Sequence, residues 1–125
     1  MNYLIVYLGG GLGATLRYAF NVLGASVMIT NAPIATLTIN VIGCLLMGFI
    51  AGYFAFRGNI SQNFRLFIMT GIMGGFTTYS AFSLEVVSMF TRGQYYSASL
   101  YALITLIISI GATFIGINLI RVFSR

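Results

Sequence analysis

Histidine and tryptophan are missing from this 125-residue chain, and acid, cysteine and proline occur once each, as Glu85, Cys44 and Pro33. Without histidine, and with a single carboxylate, the chain lacks the acid-base pairs and metal ligands that hydrolytic chemistry needs, so an enzyme is not expected. One cysteine inside an apolar run can build neither a disulfide framework nor a metal cluster, and Cys44 reads as a small packing residue. Charge is scarce as well: 6% of residues are charged, against roughly a quarter in an ordinary soluble domain. The net charge of +5 comes from six arginines. They are scattered singly instead of gathered on one face, so no nucleic-acid partner is implied.

What the chain has in abundance is apolar length, with 59% of its residues hydrophobic. A helix needs roughly 20 predominantly apolar residues to cross a hydrocarbon core of about 30 Å. Four runs reach that scale: Met1 to about Phe20, interrupted by Arg17; Ala32–Phe56, with no charge in 25 residues; Leu66–Leu84, closed by Glu85; and Gly93–Ile120, ended by Arg121. The connections between them are short. The pattern predicts an all-α membrane protein in which four transmembrane helices, at about 2–27, 32–56, 62–90 and 94–123, form one domain over residues 1–125. Met1–Leu16 has no basic leader, and Arg17 stands where a small-residue cleavage site would belong, so this run is read as a helix and not as a signal peptide. With four crossings, Arg57, Arg65, Arg121 and Arg125 share one side, and Arg92 and Arg17 the other, a modest lean towards cytoplasmic termini. Pro33 suits the first turn of the second helix, which Thr30 or Asn31 can cap.

Gly9/Gly13, Gly48/Gly52 and Gly71/Gly75 have the four-residue spacing that lets helix backbones approach closely in lipid. The third helix contains poor helix material in Gly74-Gly75-Phe76-Thr77-Thr78. Adjacent glycines and β-branched residues predict a break near Gly74–Thr78, and a close-packed unbroken helix is the competing reading. On the fourth helix Ser97, Tyr101, Thr105, Ser109 and Thr113 place one hydroxyl on the same face at every fourth residue, a row about 24 Å long. Such hydroxyls either bond back to their own helix or form a file of donors that replaces water around a small ion. On the second helix Thr36 and Asn40 share a face, and Asn40 serves either as an interhelical tie or as an ion ligand. Phe76, Tyr79 and Phe82 recur every three residues on the third helix. They either pack or offer their positive ring edges to an anion.

The segments Gly9-Gly10-Gly11-Leu12-Gly13-Ala14-Thr15-Leu16-Arg17-Tyr18, Thr36-Leu37-Thr38-Ile39-Asn40-Val41-Ile42-Gly43 and Gly74-Gly75-Phe76-Thr77-Thr78-Tyr79-Ser80-Ala81-Phe82-Ser83-Leu84-Glu85 resemble the Fluc (CrcB) family of fluoride channels. The likeness extends over nearly the whole chain, and its third block is the most specific. It implies an antiparallel dual-topology homodimer in the cell membrane, with two fluoride pores at the subunit interface and a structural Na⁺ at its centre. Asn40, Tyr79, Phe82 and Thr36 match pore positions, Tyr101, Thr105 and Ser109 the hydroxyl track, and Arg17 the vestibule arginine. Gly74 and Thr77 match positions whose carbonyls hold sodium, and Glu85 is the acid that closes the motif. Tyr79 stands where the family pattern usually has Phe; Ala35, Ala81 and Thr105 also depart from it.

The resemblance implies passive export of fluoride, lowering its cytoplasmic level and conferring resistance. Two rival readings are a small dual-topology drug/proton antiporter, motivated by the lone membrane acid, and a structural subunit of a larger membrane complex, for which the glycine spacings suffice. An exporter of that kind would want a carboxylate near the middle of the membrane and an aromatic cage for cations, whereas Glu85 sits near the end of the third helix and tryptophan is absent.

Overall fold

The computed structural model describes residues 1–27 and 32–123. The capping candidates Thr30 and Asn31, and the terminal Arg125, lie outside the described residues. The regular structure described is helical throughout: α1 (Asn2–Val27), α2 (Ala32–Phe56), α3 (Gln62–Arg65), a π-helical stretch (Leu66–Met73), α4 (Gly74–Phe76), α5 (Tyr79–Thr91) and α6 (Tyr95–Phe123). Two of these, α2 with 25 residues and α6 with 29, are long and apolar enough to cross a membrane, at mean hydropathies of 2.2 and 2.3.

The burial pattern is the reverse of that in a water-soluble bundle. Large apolar side chains lie outside, with Leu103, Ile107 and Phe114 each more than half exposed, and Ile39 is the one large side chain fully buried among the described residues. Small and hydroxyl-bearing residues, among them Ala98, Ala112, Thr36 and Thr105, share the interior with a few large ones, Phe54, Met73, Phe76 and Ile120. Lipid offers no hydrophobic gain for burying leucine, so helices in a bilayer associate through close backbone approach and polar ties.

Glycine provides that approach at two contacts. Where α2 crosses α6, a Cβ on Gly116 would lie 2.7 Å from the Phe49 nitrogen and 3.0 Å from the Gly48 carbonyl carbon. Where α1 crosses the π stretch and α4, a Cβ on Gly71 would stand 2.8 Å from Gly9 Cα, and one on Gly75 3.1 Å from the Ala14 nitrogen. The obstructing atoms are backbone, so they cannot swing aside. All three glycine pairs seen in the sequence lie at these crossings, and Gly116 completes the second.

Helical backbone gives way to extended backbone at Thr77 (φ −77°, ψ 157°) and Thr78 (φ −147°, ψ 114°). Both threonine hydroxyls bond to backbone around the break. Thr77 Oγ1 donates to the Met73 carbonyl at 3.0 Å, while Thr78 caps α5, its Oγ1 accepting from the Ala81 N–H at 3.3 Å. At the other end α5 stops at Gly93, whose φ of +75° suits glycine. The Gly93 N–H donates to the Phe90 carbonyl (3.0 Å) and the Gln94 N–H to the Met89 carbonyl (2.9 Å), the paired bonds of a Schellman turn. α6 therefore folds back directly against α5.

A methyl at Gly116 must push α2 away from α6, whereas one at Gly111 meets nothing within 4 Å. Gly116→Ala is expected to destabilise the detergent-solubilised protein by about 1–3 kcal/mol, and Gly111→Ala to leave its melting temperature unchanged or raised; differential scanning fluorimetry of the two checks this.

Candidate functional site

The extended pair Thr77–Thr78 is held by one side chain. Asn40, buried on α2, accepts from the Thr78 N–H through Oδ1 (2.8 Å) and donates through Nδ2 to the Thr78 carbonyl (3.0 Å). The carboxamide thus acts as a strand partner for a single residue and satisfies both backbone groups of Thr78. Of the two roles open to Asn40 in the sequence, the interhelical tie is present, and one Nδ2 hydrogen remains for another acceptor.

A 420 Å³ cavity opens beside this clamp. Asn40 and Cys44 of α2, Thr77 and Thr78 of the break, Tyr79 and Phe82 of α5, and Thr105 and Ser109 of α6 line it. No charged residue does. Thr105 Oγ1 and Ser109 Oγ are buried, and among the described residues neither has a hydrogen-bond partner. The outer members of the hydroxyl row differ: Thr113 bonds back to the Ser109 carbonyl at 3.2 Å, and Ser97 is exposed in another cavity. The row is therefore four kinds of hydroxyl instead of one continuous file, with two unspent donors at its middle.

Three rings run alongside. Tyr79 and Phe82 have centroids 5.6 Å apart, and Phe82 and Tyr101 5.5 Å, each pair tilted by 52°. Phe82 is half-buried and Tyr79 is 80% exposed. Phe76, the third member of the sequence's aromatic series, turns away to meet Phe20 edge-on at 6.4 Å.

Thr36 and Tyr101, which the sequence placed with the other donors, both spend their hydrogen on Glu85. The Thr36 hydroxyl donates to Oε1 and the Tyr101 hydroxyl to Oε2, each at 2.7 Å. Sequence spacing could not reveal this, because the three residues sit on three helices. Arg17 of α1 donates to the Thr77 carbonyl at 3.3 Å and lines a 340 Å³ pocket with Asn21, Thr36, Thr78 and Ser80. Gly74 and Thr77 flank the break: Gly74 is exposed, and the Thr78 N–H that would close on its carbonyl in a continuous α-helix goes to Asn40. Thr78 was missed as an individual site residue. Its signal was a threonine immediately ahead of a helical run, the place where a capping hydroxyl belongs.

A helical membrane protein with an uncharged, largely apolar cavity bordered by a few hydrogen-bonding side chains is what these features define. The chain belongs to the CrcB family: residues 4–117 match the family model described as CrcB-like protein, Camphor Resistance (CrcB). It is 49% identical to the fluoride-specific ion channel FluC 2 of Nitrobacter hamburgensis and 50% identical to the fluoride-specific ion channel FluC of Rhodopseudomonas palustris strain BisB5, each likeness covering 97% of this chain and 98% of the relative. A FluC of Granulibacter bethesdensis is 41% identical over 100% of this chain and 98% of its own.

Asn40→Asp keeps the acceptor for the Thr78 N–H but sets a second oxygen against the Thr78 carbonyl. The loss of one buried bond and the new repulsion are expected to cost about 1–3 kcal/mol, read as a lower midpoint in thermal or denaturant unfolding, with Asn40→Ala at least as costly.

Proposed function

We propose that this chain is a fluoride-selective ion channel, through which fluoride leaves the cell down its gradient, and not an enzyme. The observation that carries the reading is the pair of buried, unpartnered hydroxyls of Thr105 and Ser109 on the wall of an uncharged cavity, in a chain about half identical to fluoride channels along almost its entire length. Fluoride is small and tightly hydrated, so a low-dielectric passage admits it only where other donors replace its water. Hydroxyls, the spare Asn40 N–H and the positive edges of Phe82 and Tyr79 are donors of that kind. The cavity has no carboxylate to repel an anion and no cation to trap one.

The finer reading has four crossings: α1; α2; the run from α3 to α5 as one span split at Thr77–Thr78; and α6. Four helices of this length enclose no pore by themselves, which favours a second copy, inserted antiparallel in the same cell membrane. The exposed ring of Tyr79 and exposed Gly74 would then meet the partner. Carbonyl oxygens suit a hard monovalent cation, and Gly74 and Thr77 each present one whose usual helical donor is engaged elsewhere, the Thr78 N–H on Asn40 and the Ala81 N–H on Thr78 Oγ1; the Thr77 carbonyl also accepts from Arg17 and keeps one lone pair. These residues would hold the structural Na⁺, which would supply a fixed positive charge and join two chains. Arg17 at its pocket would raise the local anion concentration.

Purified protein in liposomes is expected to release fluoride and retain chloride, read with ion-selective electrodes. Thr105→Val combined with Ser109→Ala should slow fluoride efflux by an order of magnitude or more, on the order of one to two lost hydrogen bonds, and Phe82→Ile should impair it. Undiminished flux in both variants, or equal passage of chloride, overturns the reading. Replacing Na⁺ by a bulky organic cation during purification is expected to weaken the dimer, measured by single-molecule photobleaching in liposomes.

A further inference from the structure

The turn between α2 and α3 sets two arginines over the end of α2. That helix closes at Phe56; Arg57 follows, and the chain bends at Gly58, whose φ is +39°. Ser61 then caps α3, its Oγ accepting from the Phe64 N–H at 3.3 Å, and the Phe64 ring comes to rest 6.0 Å from that of Phe54. The Arg65 guanidinium donates to the Phe54 carbonyl at 3.3 Å and stands 5.7 Å from the centre of the Phe54 ring. Arg57 stands 5.4 Å from the centre of the Tyr53 ring. These two rings, with Phe49, Ile50, Phe64 and Ile68, line an apolar groove of 270 Å³. Phe49, Tyr53 and Phe64 are exposed, so the groove opens at the protein's surface. None of its residues lines the cavity of the candidate pathway.

Both guanidiniums are exposed and keep donors to spare. Each has five N–H groups, and a contact with a ring face consumes none of them. The chain offers them no acidic side chain, because its one acid, Glu85, is held by Thr36 and Tyr101. The 25 residues of α2 reach about 38 Å, enough to carry Arg57 past a hydrocarbon core of about 30 Å and into the headgroup layer. Phe49 lies eight residues deeper, about 12 Å along the helix. Two cations at the headgroup level above an apolar groove complement a molecule with an anionic head and an apolar tail. We infer that the α2–α3 corner is a binding site for an anionic phospholipid, its phosphate held by Arg57 and Arg65 and one acyl chain laid along Phe49, Tyr53 and Phe64. Charge makes the choice of lipid, since an acyl chain gains no hydrophobic free energy on moving from bilayer to groove. The planar forks of arginine match phosphate oxygens. Phosphatidylcholine offers the same phosphate but carries an ammonium group beside it, which two arginines repel; phosphatidylglycerol does not.

The chain has no tryptophan, so Phe64→Trp introduces a single one whose fluorescence reports the lipid touching the groove. The full chain is placed in vesicles of phosphatidylcholine with a minority of phosphatidylglycerol, the acyl chains of one lipid or the other carrying bromine, which quenches on contact. Phe123→Trp is the reference, on a side chain 83% exposed at the end of α6, near Arg121 in sequence and away from the groove. In concentrated sodium chloride, which screens diffuse attraction, phosphatidylglycerol is expected to be enriched at position 64 about fivefold over its share of the bilayer, the equivalent of one hydrogen bond. Position 123 should show no enrichment, and Arg57→Gln with Arg65→Gln should abolish it at position 64. Equal enrichment at both positions, or enrichment that survives loss of the arginines, overturns the inference. So does enrichment that disappears when inorganic phosphate is added to the water, which would make the pair a site for a soluble anion. Quenching by neither lipid at position 64 would mean that a second copy covers the groove, and overturns it as well. Should the double arginine variant not fold, the comparison of positions 64 and 123 decides alone; should Phe64→Trp not fold, Phe49→Trp in the same groove takes its place.

Discussion

The two hydrogen bonds between the Asn40 carboxamide and the Thr78 backbone are the constraint on which the rest depends. A chain buried in lipid cannot leave backbone groups unpaired, since each costs several kcal/mol, at an order of magnitude, where no water can reach. An interruption between α4 and α5 is therefore permissible only if something supplies a donor and an acceptor there. Asn40 supplies both from a neighbouring helix. Having done so, it turns Thr77 and Thr78 into a stretch of backbone whose direction is set by α2 and not by its own helix, and the inner cavity forms against that stretch.

Close packing makes the clamp possible. Gly9, Gly71 and Gly75 bring α1 against the π stretch and α4, and Gly48 and Gly116 bring α2 against α6. A π helix is wider than an α helix and uncommon at this length; here it spans Leu66–Met73 and presents Gly71 to Gly9. Backbones this near leave little room at the crossings, and the buried polar side chains are accordingly short, threonine and asparagine.

Much of this could be read from the residues. The charge-free run Ala32–Phe56 and the helix α2 occupy the same positions, because apolar length is the strongest signal a bilayer imposes on sequence. Glycine spacing indicated the crossings, and the weak helix formers around Gly74–Thr78 mark the place where regular backbone yields. What could not be read was partnership across helices. The four-residue period on α6 correctly aligned Tyr101, Thr105 and Ser109 on one face, yet it is silent on which of them faces an acceptor. Tyr101 meets Glu85 and Thr113 its own helix, while the two between them meet neither. Thr36 was likewise grouped with its neighbour Asn40, although the two bond different residues. The π geometry left no mark in Leu66–Met73 that a hydropathy pattern could register.

The Schellman turn at Gly93 has a consequence for how such a site is kept aligned. Glu85 lies eight positions before this glycine and Tyr101 eight positions after it, so the hairpin sets them level across the α5–α6 contact, as two marks the same distance from a fold in a sheet of paper. Lengthening the turn by one residue would rotate Tyr101 by about 100° around α6 and lift its hydroxyl away from the carboxylate, without altering a single side chain. The level of Glu85 and Tyr101 is thus set by a bend of three residues, and a change in its length would undo their alignment.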